Sequence, residues 1–172
     1  MSRLETTVTY LEMRGLPPHG EVAPPRDDLT LHRARKPTVS FYRWLYERVG
    51  APWLWTDRRK LDDDQLAPLI QHDAVEIWVL YVAGVPAGYL ELDRRQPPDI
   101  ELAYFGLLPE FIGHHLGAYL LDRAIRLAFT HRPTRLWLHT QTLDHPRALP
   151  LYQRLGFTPY KTERLELEIA LP

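Results

Sequence analysis

Residues 100–121 read IELAYFGLLPEFIGHHLGAYLL, and this stretch decides how the rest of the chain is arranged. Ile100 to Leu108 is an apolar run interrupted by one charge, Glu101. Pro109 ends the run, because proline has no N–H to give to a strand ladder. Glu110 to His115 form a short loop. Beyond it Leu116, Tyr119, Leu120, Ala124, Leu127 and Ala128 recur at three- and four-residue intervals, the period of an amphipathic helix. The order is strand, turn, helix, with Gly113 and Gly117 at the junction. Glycines there let backbone N–H groups come close to a phosphate, and the free N–H groups and positive dipole end of the helix then hold the anion. By itself the arrangement is common in α/β proteins, where a tight turn with close helix–strand packing is its ordinary explanation.

The 172 residues suffice for one domain with a core, and a hydrophobic share of 45% with 25% charged residues is that of a soluble globular chain. A formal net charge of −1 gives no general attraction to nucleic acid or an anionic membrane, so neither is expected as a partner. The absence of cysteine excludes disulfides, zinc–thiolate sites and thiol nucleophiles, and agrees with the expected location, a reducing cytoplasm. MSRLETTVTY lacks the apolar core of a signal peptide, and no apolar run approaches the ~20 residues of a membrane helix.

From the N-terminus, Thr6 to Met13 alternates and reads as a strand. Gly15 to Asp28, with Pro17, Pro18, Pro24 and Pro25, reads as a loop or extended arm. Leu29 to Ala34 is a second short strand, and Thr38 or Ser40 caps a helix over Phe41 to Val49 with Phe41, Trp44, Leu45 and Val49 on one face. Ala51 to Thr56 is an aromatic patch, read as core packing or as the wall of a small-molecule pocket. Arg58, Arg59 and Lys60 read as a solvated face, and Asp62 to Asp64 as the start of a helix to about Gln71. Val75 to Val82 and Pro86 to Asp93 form a hairpin through Ala83-Gly84-Val85, and Gln96 to Asp99 turns into the central strand. After the helix ends near Pro133, Arg135 to Thr142 alternates as a strand. Pro146 to Leu155 reads as a helix stopped by Gly156, with a short or distorted start because Pro150 lies about one turn in. Phe157 to Tyr160 and Thr162 to Leu171 are closing strands. The pattern is α/β or α+β with a mixed sheet.

Two passages resemble a known family. ELAYFGLLPEFIGHHLGAYLL is similar to the acetyl-CoA binding segment of the GNAT N-acetyltransferases, and DHPRALPLYQRLGF to their C-terminal motif, N-P-x-A-x-x-L-Y-x-x-x-G-F. Pro146, Ala148, Leu151, Tyr152, Gly156 and Phe157 fall in register. The resemblance implies a mostly antiparallel central sheet flanked by helices, with two central strands splayed apart. It implies one domain over residues 1–172, with 1–74 on the acceptor side and 75–172 forming the acetyl-CoA core. The pantetheine arm would lie along Phe105, Gly106 and Leu107. The pyrophosphate would take the loop Ile112, Gly113, His114, His115 and the helix start Leu116, Gly117, Ala118. His145, Ala148 and Tyr152 would complete the cofactor side. Three departures stand out: in a loop usually written Arg/Gln-x-x-Gly-x-Gly/Ala, Ile112 replaces the donor and His115 the first glycine, and in the C-terminal motif His145 replaces an asparagine. His114 and His115 are candidate phosphate donors in compensation.

By that resemblance Glu101 is the candidate general base and Tyr152 the candidate general acid, with direct attack of a primary amine on the thioester in a ternary complex and no metal. His139 is a candidate second base or acceptor contact, Asp144 a helix cap, and Glu91 and Asp93 candidate contacts for the acceptor's positive charge. The Trp44, Trp53 and Trp55 region is the candidate apolar wall. The acceptor class is a small-molecule or peptide amine, and the family commonly forms homodimers. A catalytically silent acyl-CoA-binding or sensing domain is the alternative, motivated by the altered loop.

Overall fold

The computed structural model describes residues 2–169, which form a seven-stranded mixed sheet flanked by four helices. In chain order these are β1 (Ser2–Met13), β2 (Leu29–Ala34), α1 (Val39–Gly50), α2 (Asp63–Ile70), β3 (Val75–Val82), β4 (Val85–Asp93), β5 (Asp99–Leu107), α3 (Leu116–Phe129), β6 (Arg135–Gln141), α4 (Ala148–Arg154) and β7 (Thr158–Ile169). The strand order is β2-β3-β4-β5-β6-β1-β7, antiparallel except for β5 beside β6.

The local signals explain most boundaries. Thr38 caps α1 by accepting from Phe41 N–H, and Asp62 opens α2 with a reciprocal capping box to Gln65. The β3–β4 turn is the two-residue Ala83-Gly84, both with positive φ, the geometry that matches strand twist. α4 begins at Ala148 rather than Pro146, so Pro150 is its third residue. There the missing N–H has no intrahelical partner to lose. The two expected closing strands are one continuous strand with a bulge at Tyr160, since Tyr10 pairs with Lys161 and Leu11 with Pro159. Ala170 and Leu171, assigned to that strand from the sequence, lie outside the described residues.

β3 and β4 are buried along nearly their whole length, because both sheet faces are covered there. On one face α3 and α4 bury Leu116, Leu120, Ala124, Ile125 and Leu155 against Leu90, Leu92, Leu102 and Leu138. On the other, α1 and α2 bury Tyr42, Leu45, Val49, Leu66 and Ile70 against Ile77, Val79 and Tyr89. The buried stripe of α1 is therefore Tyr42, Leu45, Tyr46 and Val49; Trp44, expected on it, is 42% exposed. The tyrosines take the stripe because their hydroxyls find partners inside. α1 and α2 do not reach across β6, β1 and β7, and the open floor left there matters for the site.

The proline-rich segment after β1 is docked as an extended arm. Fully buried Asp122 of α3 accepts hydrogen bonds from Val22 N–H (3.1 Å), Arg126 Nε (3.0 Å) and Arg123 Nη2 (3.3 Å). Burial pushes its carboxyl upward, but these donors outweigh burial and hold it below the ordinary range. Replacing Asp122 with Ala is expected to cost about 2–4 kcal/mol and to expose the arm to protease. Because the native carboxyl is depressed, its contribution is full above the unfolded value and lost as pH falls through the native one. The difference in Tm between the two proteins therefore shrinks below about pH 4. An undiminished difference in acid would assign the effect to packing alone.

Candidate functional site

β5 pairs with β6 only at Asp99–Arg135, Ile100–Leu136 and Glu101–Trp137. One residue further on, β5 bulges: Leu92 opposes Leu102 and Glu91 opposes Tyr104, leaving Ala103 extra. A bulge bends its strand and sharpens the local twist. Past it β5 stays with β4 and leaves β6, so the β6-facing backbone groups of residues 102–107 have no ladder partner among the described residues. Two clefts open in the gap.

The first, about 610 Å³, is lined by Phe105, Gly106 and Leu107 of β5, by the turn and start of α3, and by Arg147, Ala148, Leu151, Tyr152 and Arg154 around α4. Of the residues named for cofactor binding, Ile112, Gly113, His115, Leu116, Gly117, Ala118 and His145 also line it; His114 does not, and faces solvent. His115 is the N-cap of α3 and adopts φ 60°, ψ 21°, the left-handed conformation that costs a residue bearing Cβ. Gly113 has φ 86°. No side chain caps α3, so its first-turn N–H groups remain available at the cleft. Arg147 and Arg154 have no ion-pair partner among the described residues, a pair of free cations that the sequence reading missed.

The second cleft, about 370 Å³, lies on the open floor. It is lined by Val8, Tyr10, Glu101, His139, Gln141, Leu165 and Leu167 below, and by Tyr46, Leu54, Trp55, Arg58 and Tyr104 on its wall. Trp55, Phe105, Asp144 and Tyr152 line both clefts, which adjoin there. Of the three tryptophans read as an apolar wall, Trp53 and Trp55 line clefts and Trp44 does not.

Glu101 sits in this second cleft with its side chain 24% exposed and its Oε1 3.8 Å from His139 Nε2. Burial, then the charges of Asp93 and Glu91, push its carboxyl up to about 7. Tyr152 is buried at the junction, and burial followed by the Asp144 charge raises its phenol well above the ordinary value, so it keeps its proton. Asp144 does not cap α4, whose N-cap Arg147 makes no side-chain bond. Its Oδ2 instead accepts from Thr140 Oγ1 (2.6 Å) and Gln141 N–H (2.9 Å), and its Oδ1 from Trp55 Nε1 (3.3 Å). That bond ties the aromatic patch after α1 to the loop before α4.

Two sequence readings are corrected here. Glu91 is fully buried and lines neither cleft; it accepts from Tyr42 OH (2.6 Å) and Arg58 Nη2 (2.6 Å). Arg58, read as part of a solvated face, has a side chain only 14% exposed and lies 5.1 Å over the Tyr104 ring. Burial lowers its affinity for the proton, but Glu91 and Tyr42 more than reverse that. Asp93 does line the second cleft, with both oxygens held by Arg95.

Trp55 is packed against Gly50: a Cβ there would fall 2.6 Å from Trp55 Cδ2. Gly50 has φ −93°, which any residue adopts, so a Gly50→Ala change is expected to act through this contact, displacing Trp55 as a whole because the Trp55 Cβ would also lie 2.7 Å away. It should lower stability by about 1–3 kcal/mol and red-shift tryptophan emission as Trp55 loses Asp144. An unmoved emission spectrum would show that the ring is not seated on Gly50.

A family model described as the acetyltransferase (GNAT) family matches residues 38–157. None of the curated proteins compared with the chain matches it in sequence. Among solved structures, an acetyltransferase of the GNAT family from Novosphingobium aromaticivorans superposes with a TM-score of 0.63 at 17% identity, covering 94% of this chain and 63% of that one. A GCN5-related N-acetyltransferase from Kribbella flavida gives 0.59 at 17% identity over 93% and 56%. An aminoglycoside acetyltransferase from an uncultured soil metagenomic sample gives 0.61 at 13% identity over 75% and 88%. The chain thus spans less than two thirds of the length of the first two. These similarities establish the shared fold. With the family model spanning both the splayed strand and the α4 motif, the chain belongs to the GNAT acetyltransferase family.

Proposed function

We propose that this protein transfers an acetyl group from acetyl-CoA to a primary amine, by direct attack with both substrates bound. The observation that carries the reading is the pair of clefts adjoining at Trp55, Phe105, Asp144 and Tyr152, one suited to a polyanion and the other holding a carboxyl raised to about 7.

The residues present fit acetyl-CoA. The unpaired backbone groups of residues 102–107 suit the amides of its arm, as a strand edge suits an extended peptide. The uncapped start of α3 suits its pyrophosphate, with Gly113, His115 and Gly117 at the turn, and Arg147 and Arg154 add charge at the same cleft. Bound there, acetyl-CoA would supply an activated thioester carbonyl.

The chain's own residues then divide the work. Glu101, half deprotonated near neutrality, takes the proton of the incoming ammonium, directly or through a water, and exposed His139 at 3.8 Å offers it a way to solvent. Tyr152, kept protonated, is the donor for the departing sulfur. Asp144 holds the loop that leads to Tyr152 and anchors Trp55 over the junction. Residues 75–172 supply most of the first cleft, and residues 1–74 add Trp53 and Trp55 to it and much of the wall of the second.

Thiol release from acetyl-CoA with added amines, followed against pH, tests the reading. Only the deprotonated Glu101 is a base, so kcat/KM should rise with pH through an apparent pKa near 7. Glu101→Gln should remove that limb and lower kcat by about 10²–10⁴, while Tyr152→Phe lowers kcat more than it raises the acetyl-CoA KM. Acetyl-CoA binding without thiol release from any amine would instead indicate a silent binding domain.

A further inference from the structure

The charges of the second cleft are unevenly distributed, and this bears on what it accepts. Four carboxylates line it: Asp57, Asp93, Glu101 and Asp144. Asp93 is occupied, with Oδ1 3.0 Å from Arg95 Nε and Oδ2 2.8 Å from Arg95 Nη2. Asp57 stands at the rim, 75% exposed, with Lys60 at 3.9 Å. Glu101 and Asp144 have no Lys or Arg partner among the described residues; the three donors to Asp144 are all neutral. Asp144 lines both clefts, so it stands where the amine must meet the acyl group.

Away from the rim, the remainder of the cleft disfavours a second ammonium. Arg58 and Arg95 both line it, and each is already held by a carboxylate, Glu91 and Asp93. A cation beside them meets two guanidiniums whose carboxylates are already engaged, and the remaining carboxylate on that side, Asp57, stands in solvent at the rim. The wall is aromatic instead. Tyr46 and Trp55 pack against Tyr104 at 5.2 and 5.1 Å, while Tyr10 is on the floor. Arg58 already covers Tyr104 as its cation. Tyr46 is buried, so the half-buried rings of Trp55 and Tyr10 are what a flat apolar surface can stack on, and a distant charge inside the cleft has nothing to pair with.

Resting on the acyl-transfer reading above, we infer that the acceptor is a primary amine carrying a single positive charge, at the end that reacts, on a flat apolar body, and not a polyamine or an aminoglycoside. Inside the cleft the carboxylates without a Lys or Arg partner among the described residues are Glu101 and Asp144, at and beside the junction. Arg95 acts as a specificity determinant by neutralising Asp93, the carboxylate that would otherwise receive a second ammonium.

The test is thiol release from acetyl-CoA with 2-phenylethylamine, butylamine, spermidine and kanamycin, on the wild type and on Arg95→Ala and Arg95→Gln. On the wild type, kcat/KM for 2-phenylethylamine should exceed that for each of the other three by about ten-fold or more. In both variants Asp93 is released, and the ratio of spermidine to 2-phenylethylamine should rise by about ten-fold. Spermidine or kanamycin equal to or better than 2-phenylethylamine on the wild type overturns the inference and leaves acetyl transfer standing. So does parity of butylamine with 2-phenylethylamine, or an unchanged ratio in two folded Arg95 variants. No thiol release with any of the four while acetyl-CoA binds overturns the inference, and the same silence across a wider set of amines overturns the acyl-transfer reading with it.

Discussion

Three backbone pairings join β5 to β6, and then the ladder stops. Everything functional in the molecule follows from that break. A strand inside a sheet normally pairs on both edges, since unpaired N–H and C=O groups away from water are costly. Here the bulge at Ala103 turns β5 away while β4 keeps its other edge paired as far as Leu107. The cost is tolerable only if something else satisfies the freed edge, solvent in one state and a ligand rich in amides in another. The same departure separates α3 from α4, opening the first cleft on that side, and uncovers the floor of β6, β1 and β7 beneath the second.

The gap would be of little use if its walls could drift. Two polar clusters hold them. Buried Glu91 on β4 grips Tyr42 of α1 and Arg58 of the following turn, fixing the wall that carries Tyr46 and Tyr104. Asp144, after β6, holds the Trp55 indole and the backbone of its own turn. Together they tie the helical cap over β4 and β5 to the loop that leads to Tyr152. A buried ion pair is weak as a source of net stability, because both charges lose water, but strong as a device for fixing geometry. That is the role the Glu91–Arg58 pair has here, beside a carboxyl whose proton affinity depends on how dry its surroundings are.

The contiguous parts of this architecture were legible in the sequence. The strand–turn–helix from Ile100 to Phe129 follows from period and proline position, and the register of Tyr152 follows from a motif whose spacing one helix fixes. What escaped depended on contacts between distant residues. Arg58 looked like one of three exposed cations, and only a partner 33 residues away on β4 makes it a buried one. Arg147 and Arg154 lay inside the recognised motif, at positions it leaves open. Trp44 was placed inward by hydrophobicity, whereas Tyr42 and Tyr46 won the buried stripe because Glu91 and Arg58 could satisfy their hydroxyls. Thr6 to Met13 was recognisable as a strand, but not as the neighbour of β6 and β7; that depends on the proline-rich arm lying across α3, where Asp122 receives Val22.

Amide hydrogen exchange with and without acetyl-CoA tests the central claim most directly, since it reads the free edge itself. The account predicts slowed exchange at residues 104–107 of β5 and 113–118 at the start of α3, with β1 and β7 unchanged. Protection confined to other segments, or none at saturating ligand, would contradict the claim that the break between β5 and β6 is the acyl-donor site.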